Sequence, residues 1–361
     1  MTLNVFSLFS GAGGLDLGFK QAGFSIRFAV DNDLDCSFTR SSNGSVTNGV
    51  DVAGDATKLI FRRFNGKMCS GFGDDDSWME HPKPDVIIGG PPCQAFSVAG
   101  NQNPEDPRAT LVGHFVRLIR EATPKAFVME NVAELLTSKK LHVEAARLSV
   151  LALYDAGYLV TTHVLNARDF GLPQSRERVF FVGMLRPLPH LPASSTDAYF
   201  APKKTAGEVL REIGEDGRGH VPSAKVMPAK KPILRKSPYA GLLFNGKGRV
   251  VDLNGWSGTL PASMGGNRSP IIDDDALYDG REPWILSYHS HLMGGGDPLT
   301  EPIERLRRMT AVEAAAFQGF PKDYRFYGEQ SSVFRQIGNA VPPPMARAVA
   351  EAIKSHFESH P

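Results

Sequence analysis

Cys93 has the most chemistry in its surroundings. It stands in Gly89-Gly90-Pro91-Pro92-Cys93-Gln94-Ala95-Phe96-Ser97, where two prolines fix the backbone immediately before a thiol. A thiolate presented that way can act as a nucleophile, although a lone cysteine is more often core packing. Glu130, in Glu130-Asn131-Val132, offers a carboxyl group for proton transfer, or a cap for a following helix. Gln174-Ser175-Arg176-Glu177-Arg178 carries two guanidinium groups two residues apart, which an extended chain places on one side. Such a pair suits a phosphate, a carboxylate or a base edge.

Cys93 and Glu130 each follow a short apolar run of the kind that fills a buried parallel strand: Pro84–Ile88 before Cys93 and Ala126–Met129 before Glu130. Asn4–Phe9 reads as the first strand, Ser10–Gly14 as a tight turn, and Leu15 as the opening of a helix. Glycines there admit a ligand close to the backbone and leave helix-start N–H groups free. Ser25–Val30 is a second strand ending in Asp31, which is placed to accept from ribose hydroxyls. Asp55 follows a third strand, or occupies a surface turn. Helices are predicted over Ala109–Ala122 and Leu141–Tyr154, with a strand at Tyr158–Leu165. Residues 65–83 read as a loop insertion, and the adjacent Asp74, Asp75 and Asp76 as solvated rather than metal-binding. The pattern is that of an α/β sheet, with ligands at the carboxyl ends of its strands.

The chain of 361 residues is 42% hydrophobic and 22% charged, with no apolar run of membrane-spanning length. It enters a strand at once, leaving no room for a signal peptide. Three cysteines (Cys36, Cys69, Cys93) without Cys-x-x-Cys spacing speak against disulfides and zinc, and for a reducing compartment. Net charge is only +1, but residues 201–250 hold eleven Lys/Arg against four Asp/Glu, and residues 251–300 two against seven. That block fits a phosphate-binding surface, or equally a solvated loop.

Taken in order, Phe9-Ser10-Gly11-Ala12-Gly13-Gly14-Leu15, Pro91-Pro92-Cys93-Gln94, Glu130-Asn131-Val132, Gln174-x-Arg176-x-Arg178, a variable stretch, and Gln336-Ile337-Gly338-Asn339-Ala340-Val341 resemble the cytosine carbon-5 DNA methyltransferases. Arg307 to Glu313 and Gln318-Gly319-Phe320-Pro321 match a further family stretch, and the resemblance spans nearly the whole chain. It implies a Rossmann-like S-adenosylmethionine-dependent methyltransferase fold with a mostly parallel sheet, and a smaller irregular target-recognition domain. The catalytic domain would comprise 1–186 and 325–361, and the recognition domain and hinge 187–324.

By the same resemblance, Cys93 attacks carbon 6 of a cytosine flipped out of duplex DNA, so that carbon 5 can take the methyl group. Glu130 serves N3 in its protonated form or by sharing a proton with the base, and Arg176, with Arg178 beside it, serves the carbonyl oxygen. S-adenosyl-L-methionine would lie against Phe9 to Leu15, Asp31 (often Glu in the family), Asp55, Pro91, Leu111, Asn339 and Ala340. DNA would meet Gln94, Ser97 and Arg108 on a loop that closes over the base, together with Thr259, Gly265, Gly266, Asn267 and Arg268. Arg108-Ala109 stands where the family usually has Arg-Gly. Gly265-Gly266 also reads as a plain turn.

Double-stranded DNA is the expected partner, with a restriction endonuclease as functional companion. The expected protein is a cytoplasmic monomer that binds neither membrane nor metal. The competing substrate is tRNA. An inactive DNA-binding relative is opposed by the presence of Cys93, Glu130 and Arg176 together, and an oxidoreductase by the lack of a dinucleotide fingerprint.

In the second half prolines recur, and no long periodic helix is expected before about Pro302. A helix over Glu304–Phe317 is predicted, with Thr310 and Glu313 at capping-box spacing. Gln336–Pro343 is expected to open a last helix at Pro344–Phe357.

Overall fold

A computed structural model describes residues 2–65, 67–72, 78–92, 111–137 and 141–361, without the side chains of 141–146. The chain divides into two compact units: Met1–Asn166, Glu177–Phe200 and Ala340–Pro361 in the first, Ala167–Arg176 and Ala201–Asn339 in the second. The sequence boundaries had been drawn at 186/187 and 324/325.

The first unit is built on a seven-stranded sheet. Its strands are β1 (Asn4–Leu8), β2 (Ser25–Asp31), β3 (Val50–Ala53), β7 (Val86–Gly89), β8 (Ala126–Val132), β9 (Tyr158–Asn166) and β10 (Glu177–Leu185), in the order β3-β2-β1-β7-β8-β10-β9. The five strands from β3 to β8 run parallel, and β10 lies antiparallel to both β8 and β9. This is the α/β architecture expected. Its central strands are near-continuous apolar runs because both faces are covered. Phe6, Phe28, Ile87, Phe127 and Val179 are buried in one core with Phe115 and Ile119.

The helices of this unit are α1 (Gly14–Gln21), α2 (Leu34–Ser42), α3 (Leu111–Ala122), α4 (Glu134–Thr137), α5 (Leu141–Asp155) and a C-terminal helix at Pro343–Ser359. Helix α3 buries Val112, Phe115, Val116, Leu118, Ile119 and Ala122, the stripe its 3.6-residue period predicts. Gly18 lets the C-terminal helix sit against α1, since a Cβ there would lie 2.4 Å from Ala346 Cβ.

The 65–83 insertion is a correction. Instead of a loop, β4 (Leu59–Phe64), β5 (Lys67–Phe72) and β6 (Met79–His81) form a three-stranded antiparallel sheet. Asn65-Gly66 is a hairpin-turn signature in the sequence, although Arg62 and Arg63 interrupt the alternation of the run before it. Asp74, Asp75 and Asp76 lie outside the described residues.

The second unit holds α6 (Ala206–Gly217), β11 (Pro228–Ile233), β12 (Leu242–Phe244), β13 (Ile271–Asp273), α7 (Asp274–Tyr278), α8 (Trp284–Met293), β14 (Leu306–Arg308), α9 (Ala311–Phe317) and α10 (Gln330–Asn339). Helices α6, of 12 residues and interrupted at Gly214, and α8, of 10, lie in the stretch where no long periodic helix is expected. Thr205 and Glu208 form a full capping box at the start of α6, the device that was read at Thr310 and Glu313. The Glu304–Phe317 helix is also shorter than predicted. Thr310 is its N-cap, bonded reciprocally with Glu313, and the residues before it pair as β14 with β13. Gln336–Asn339 closes α10 rather than opening the last helix.

Candidate active site

The register of the sheet brings the first unit's candidate residues to one edge. Leu8 pairs with Val30 and with Gly89, and Gly89 pairs with Met129. Phe9, Gly90 and Glu130 therefore stand level just past the last of these pairs on three adjacent parallel strands, with Asp31 beside them on β2, and β8 runs on to Val132 against β10. In a parallel α/β sheet that edge is where ligands bind. Gly89 is obligatory there, since a Cβ would lie 2.4 Å from Leu8 O.

The glycine turn is held by charge. Asp31 Oδ2 accepts from Gly11 N at 2.8 Å, and Arg40 Nη1 donates to Gly11 O at 2.5 Å. Arg40 is itself fully buried, with Nε and Nη2 on the two oxygens of Asp51. Gly11 and Gly13 sit at φ +51° and +80°, and among the described residues no atom beyond the chain neighbours comes within 4 Å of a Cβ built on Gly11. Ser10 Oγ donates to Ser7 O and Val30 O, tying the turn to β1 and β2. Phe9 takes φ +53°, a conformation costing a non-glycine residue about 1–3 kcal/mol.

Asp16 lies under this turn, fully buried, with Oδ1 accepting from Ser7 Oγ at 2.5 Å. Burial pushes its carboxyl up to about 6, against the lowering influence of Arg40 and Ser7. Burial likewise raises Asp31, against the amides of Asp33 and Gly11. Asp55 is exposed; its slight desolvation is outweighed by hydrogen bonds from Thr57, which keep it below the ordinary carboxylate value.

Glu130 faces Phe180 across β8 and β10. Arg178, two residues before Phe180, shares that face, and its Nε lies 2.9 Å from Glu130 Oε1. Asn131 Nδ2 donates to Pro91 O at 3.2 Å, and a Cβ on Gly90 would lie 3.1 Å from Glu130 Oε2. Pro91, the Gly90 turn, Glu130 and Arg178 are thus one contact group at the root of Cys93. Cys93, Gln94, Ser97 and Arg108 lie outside the described residues. Leu111 is the first residue of α3 and half-buried.

Arg176 has other partners. Strand β10 begins at Glu177, so the period-two rule that placed Arg176 and Arg178 on one side does not reach Arg176. It is 1% exposed, with Nη1 on Leu260 O and Nη2 on Gly338 O. Gln174 beside it accepts from Leu260 N and donates to Phe317 O and Gln318 Oε1. Gln174 and Arg176 are thus hydrogen-bonded to other parts of the second unit.

The second unit also holds the remaining candidates. Thr259 Oγ1 donates to Ser175 O, and Gly265 and Gly266 take positive φ ahead of exposed Asn267 and Arg268. Asn267 O accepts from both Lys247 N and Gly248 N. This stitches a second loop, with exposed Lys247 and Arg249, to the first. Sequence reasoning passed over that loop, although Gly246-Lys247-Gly248 was a legible cue. Asn339 is exposed at the end of α10, and Ala340 is buried in the first unit.

The arrangement supplies a nucleotide-like ligand with matching groups. The N-terminus of α1 has no side-chain cap, leaving backbone donors for a carboxylate. Asp31 and Asp55 offer acceptors for ribose hydroxyls and an amino group, and open space stands over Gly11.

A family model described as C-5 cytosine-specific DNA methylase matches residues 3–355. The chain is 32% identical to type II methyltransferase M1.HphI of Haemophilus parahaemolyticus, covering 98% of this chain and 87% of that one. It is 32% identical to M.MthTI of Methanothermobacter thermautotrophicus over 99% of both. The solved structure of the S. pombe Dnmt2 methyltransferase covers 99% of each chain with a TM-score of 0.65 at 16% identity, a likeness of fold.

Proposed function

Because the chain belongs to the C-5 cytosine-specific DNA methylase family and is a DNA (cytosine-5-)-methyltransferase, we propose that it modifies one cytosine within a short duplex sequence, as the methylating half of a type II restriction–modification pair. The observation that carries the site assignment is the Leu8–Gly89–Met129 register, which sets the glycine turn, the root of Cys93 and Glu130 side by side.

S-adenosylmethionine supplies the reaction with an electrophilic methyl group on a sulfonium, and the residues of the glycine turn fit it: the uncapped α1 terminus for its carboxylate, Asp31 for the ribose, Asp55 for the adenine amino group. Phe9, Ala12, Leu15, Pro91, Leu111, Asn339 and Ala340 complete the proposed set. Cys93 adds as thiolate to carbon 6 of the cytosine, making carbon 5 nucleophilic. Glu130 holds a proton for N3 as negative charge spreads into the ring, a contribution typically of about 10²–10⁴-fold. In this reading Arg178 rather than Arg176 serves the carbonyl oxygen, supported by the position of its guanidinium beside Glu130 and by the bonds of Arg176 to backbone carbonyls. Once carbon 5 carries the methyl group, loss of its proton to solvent re-forms the double bond to carbon 6 and expels Cys93 as thiolate, and a buried base can be reached only once flipped. Gln94, Ser97, Arg108, Thr259, Gly265, Gly266, Asn267 and Arg268 are the proposed DNA contacts.

Bisulfite sequencing of a plasmid incubated with the pure protein and S-adenosylmethionine tests this. Protected cytosines in one recurring context are the expected result. No protection, or methyl label on tRNA alone, would overturn it.

A further inference from the structure

Arg308 is a fully buried guanidinium in the second unit with no carboxylate at ion-pair distance among the described residues. Its neighbour Arg307 shows the contrast, paired with both Glu313 and Asp274. Arg308 instead reaches two backbone carbonyls, Ser269 O through Nη1 and Asn245 O through Nη2, each at a long 3.4 Å. Its Nε and the neighbouring Ser269 Oγ are buried with no hydrogen-bond partner among the described residues. Burial alone lowers its pKa to about 10, with no opposing charge acting on it. A buried charge without a counter-charge is costly and calls for a reason.

Its place in the fold supplies one. Val250 bridges Ile271 in parallel, and Ile271 pairs with Arg308 across β13 and β14. Parallel pairing sets the segments before Val250 and before Ile271 side by side, so Asn245–Arg249 and Gly265–Ser269 leave the same end of this small ladder. Arg308, at the end of antiparallel β14, lies beneath both. The packing is backbone-close: a Cβ on Gly248 would fall 2.3 Å from Arg308 Nη1 and 2.4 Å from Ser269 O, and one on Gly246 2.2 Å from Asn267 O. The outer side carries Lys247, Arg249 and Arg268, all exposed and without an ion pair among the described residues. Three exposed cations thus stand on the two joined loops above Arg308, and none of the four has an ion pair among the described residues.

We propose that Arg308 is a positioning residue for DNA recognition, tying the Asn245–Arg249 loop to the Gly265–Ser269 loop, and that a DNA backbone phosphate seated over the joined loops provides the counter-charge the protein leaves out. This rests on the reading of the chain as a duplex-DNA methyltransferase. A charge stored in a low-dielectric layer acts on a phosphate more strongly than one in water. Each phosphate so neutralised adds about 0.9 to the salt slope of binding.

The test compares Arg308→Met and Arg308→Lys with the parent protein. The probes are a duplex carrying the site mapped by bisulfite sequencing and the same duplex scrambled. Arg308→Met should shift the melting temperature little, because relief of the buried charge offsets the two long hydrogen bonds it loses, while weakening the mapped duplex at least tenfold and lowering the salt slope by about one. Arg308→Lys should restore the slope but not the preference for the mapped over the scrambled duplex, since one ammonium cannot span two carbonyls. S-adenosylmethionine affinity, read calorimetrically, should stay constant in both. A fall in melting temperature that accounts for the lost DNA affinity would overturn the proposal, as would unchanged affinity and slope. If Arg308→Met does not fold, the slope and preference of Arg308→Lys decide alone. Failure of the parent protein to methylate duplex DNA would instead remove the functional reading beneath it.

Discussion

Arg178 Nε lies 2.9 Å from Glu130 Oε1, a diagonal contact across β8 and β10 made possible because Arg178 is the second residue of its strand. Arg176 precedes the strand and spans Leu260 O and Gly338 O. Two arginines of one motif thus do different work. One shares its charge with a candidate acid, and the other holds backbone together.

The same conservative change separates them. Arg178→Lys keeps the ion pair with Glu130 but loses the planar fork. Methyl transfer should fall by about 10²-fold, while stability stays within about 1 kcal/mol. Arg176→Lys should cost about 1–3 kcal/mol by leaving a buried carbonyl without a donor, with turnover of the folded fraction nearly retained. Urea unfolding and methyl incorporation, measured on both variants, check this. Equal loss of turnover from the two would remove the distinction.

Gly90 sets the room available to Glu130. Its φ permits alanine, but the added Cβ would stand 3.1 Å from Glu130 Oε2, closer than the carboxylate tolerates without moving. Gly90→Ala should reduce kcat by about 10–10²-fold by displacing the carboxyl group proposed to hold the proton for N3. Thermal unfolding should barely change. A variant with parental kcat would show that Glu130 has slack.

Legibility followed regularity. Strand ends in a parallel sheet announce themselves by short apolar runs, so the positions of Phe9, Asp31 and Glu130 are legible in the sequence. The hairpin at 59–72 was missed although Asn65-Gly66 marks it, because Arg62 and Arg63 interrupt the apolar alternation. Helix α6 was missed because prolines dominate its surroundings, although Thr205 and Glu208 cap it. Arg176 and Arg178 were joined by a periodicity that holds only within a strand. The long-range partners of Arg40 and Arg308 leave no local pattern, since both are set by where the chain returns.

Asp16 makes stability depend on pH in a defined direction. Its folded-state pKa of about 6 stands above the unfolded value of 3.8, so the folded protein prefers the protonated acid. The contribution is present in full below about pH 4 and is lost as pH rises through about 6. Relative to Asp16→Asn, the parent should lose about 1–3 kcal/mol between pH 4 and pH 7. Denaturant titrations at several pH values decide it, and parallel curves for the two proteins would refute the buried acid's role.

Arg40 should prove the residue on which the cofactor turn depends. It donates to Gly11 O and, through two nitrogens, to both oxygens of Asp51, while Asp31 takes the amide of the same glycine. Arg40→Met would strand the Asp51 carboxylate and release one side of Gly11. The expected loss is about 3–5 kcal/mol, the cost of breaking a buried pair from one end. Adding Asp51→Asn should return part of it, because the two residues form one unit and their effects do not add. S-adenosylmethionine affinity should weaken in the single variant more than duplex affinity does, since the turn and not the recognition loops has lost its support. Calorimetric titration of the cofactor and fluorescence titration of duplex DNA measure the two. Equal weakening of both would point to general loosening of the fold and against a turn held by Arg40.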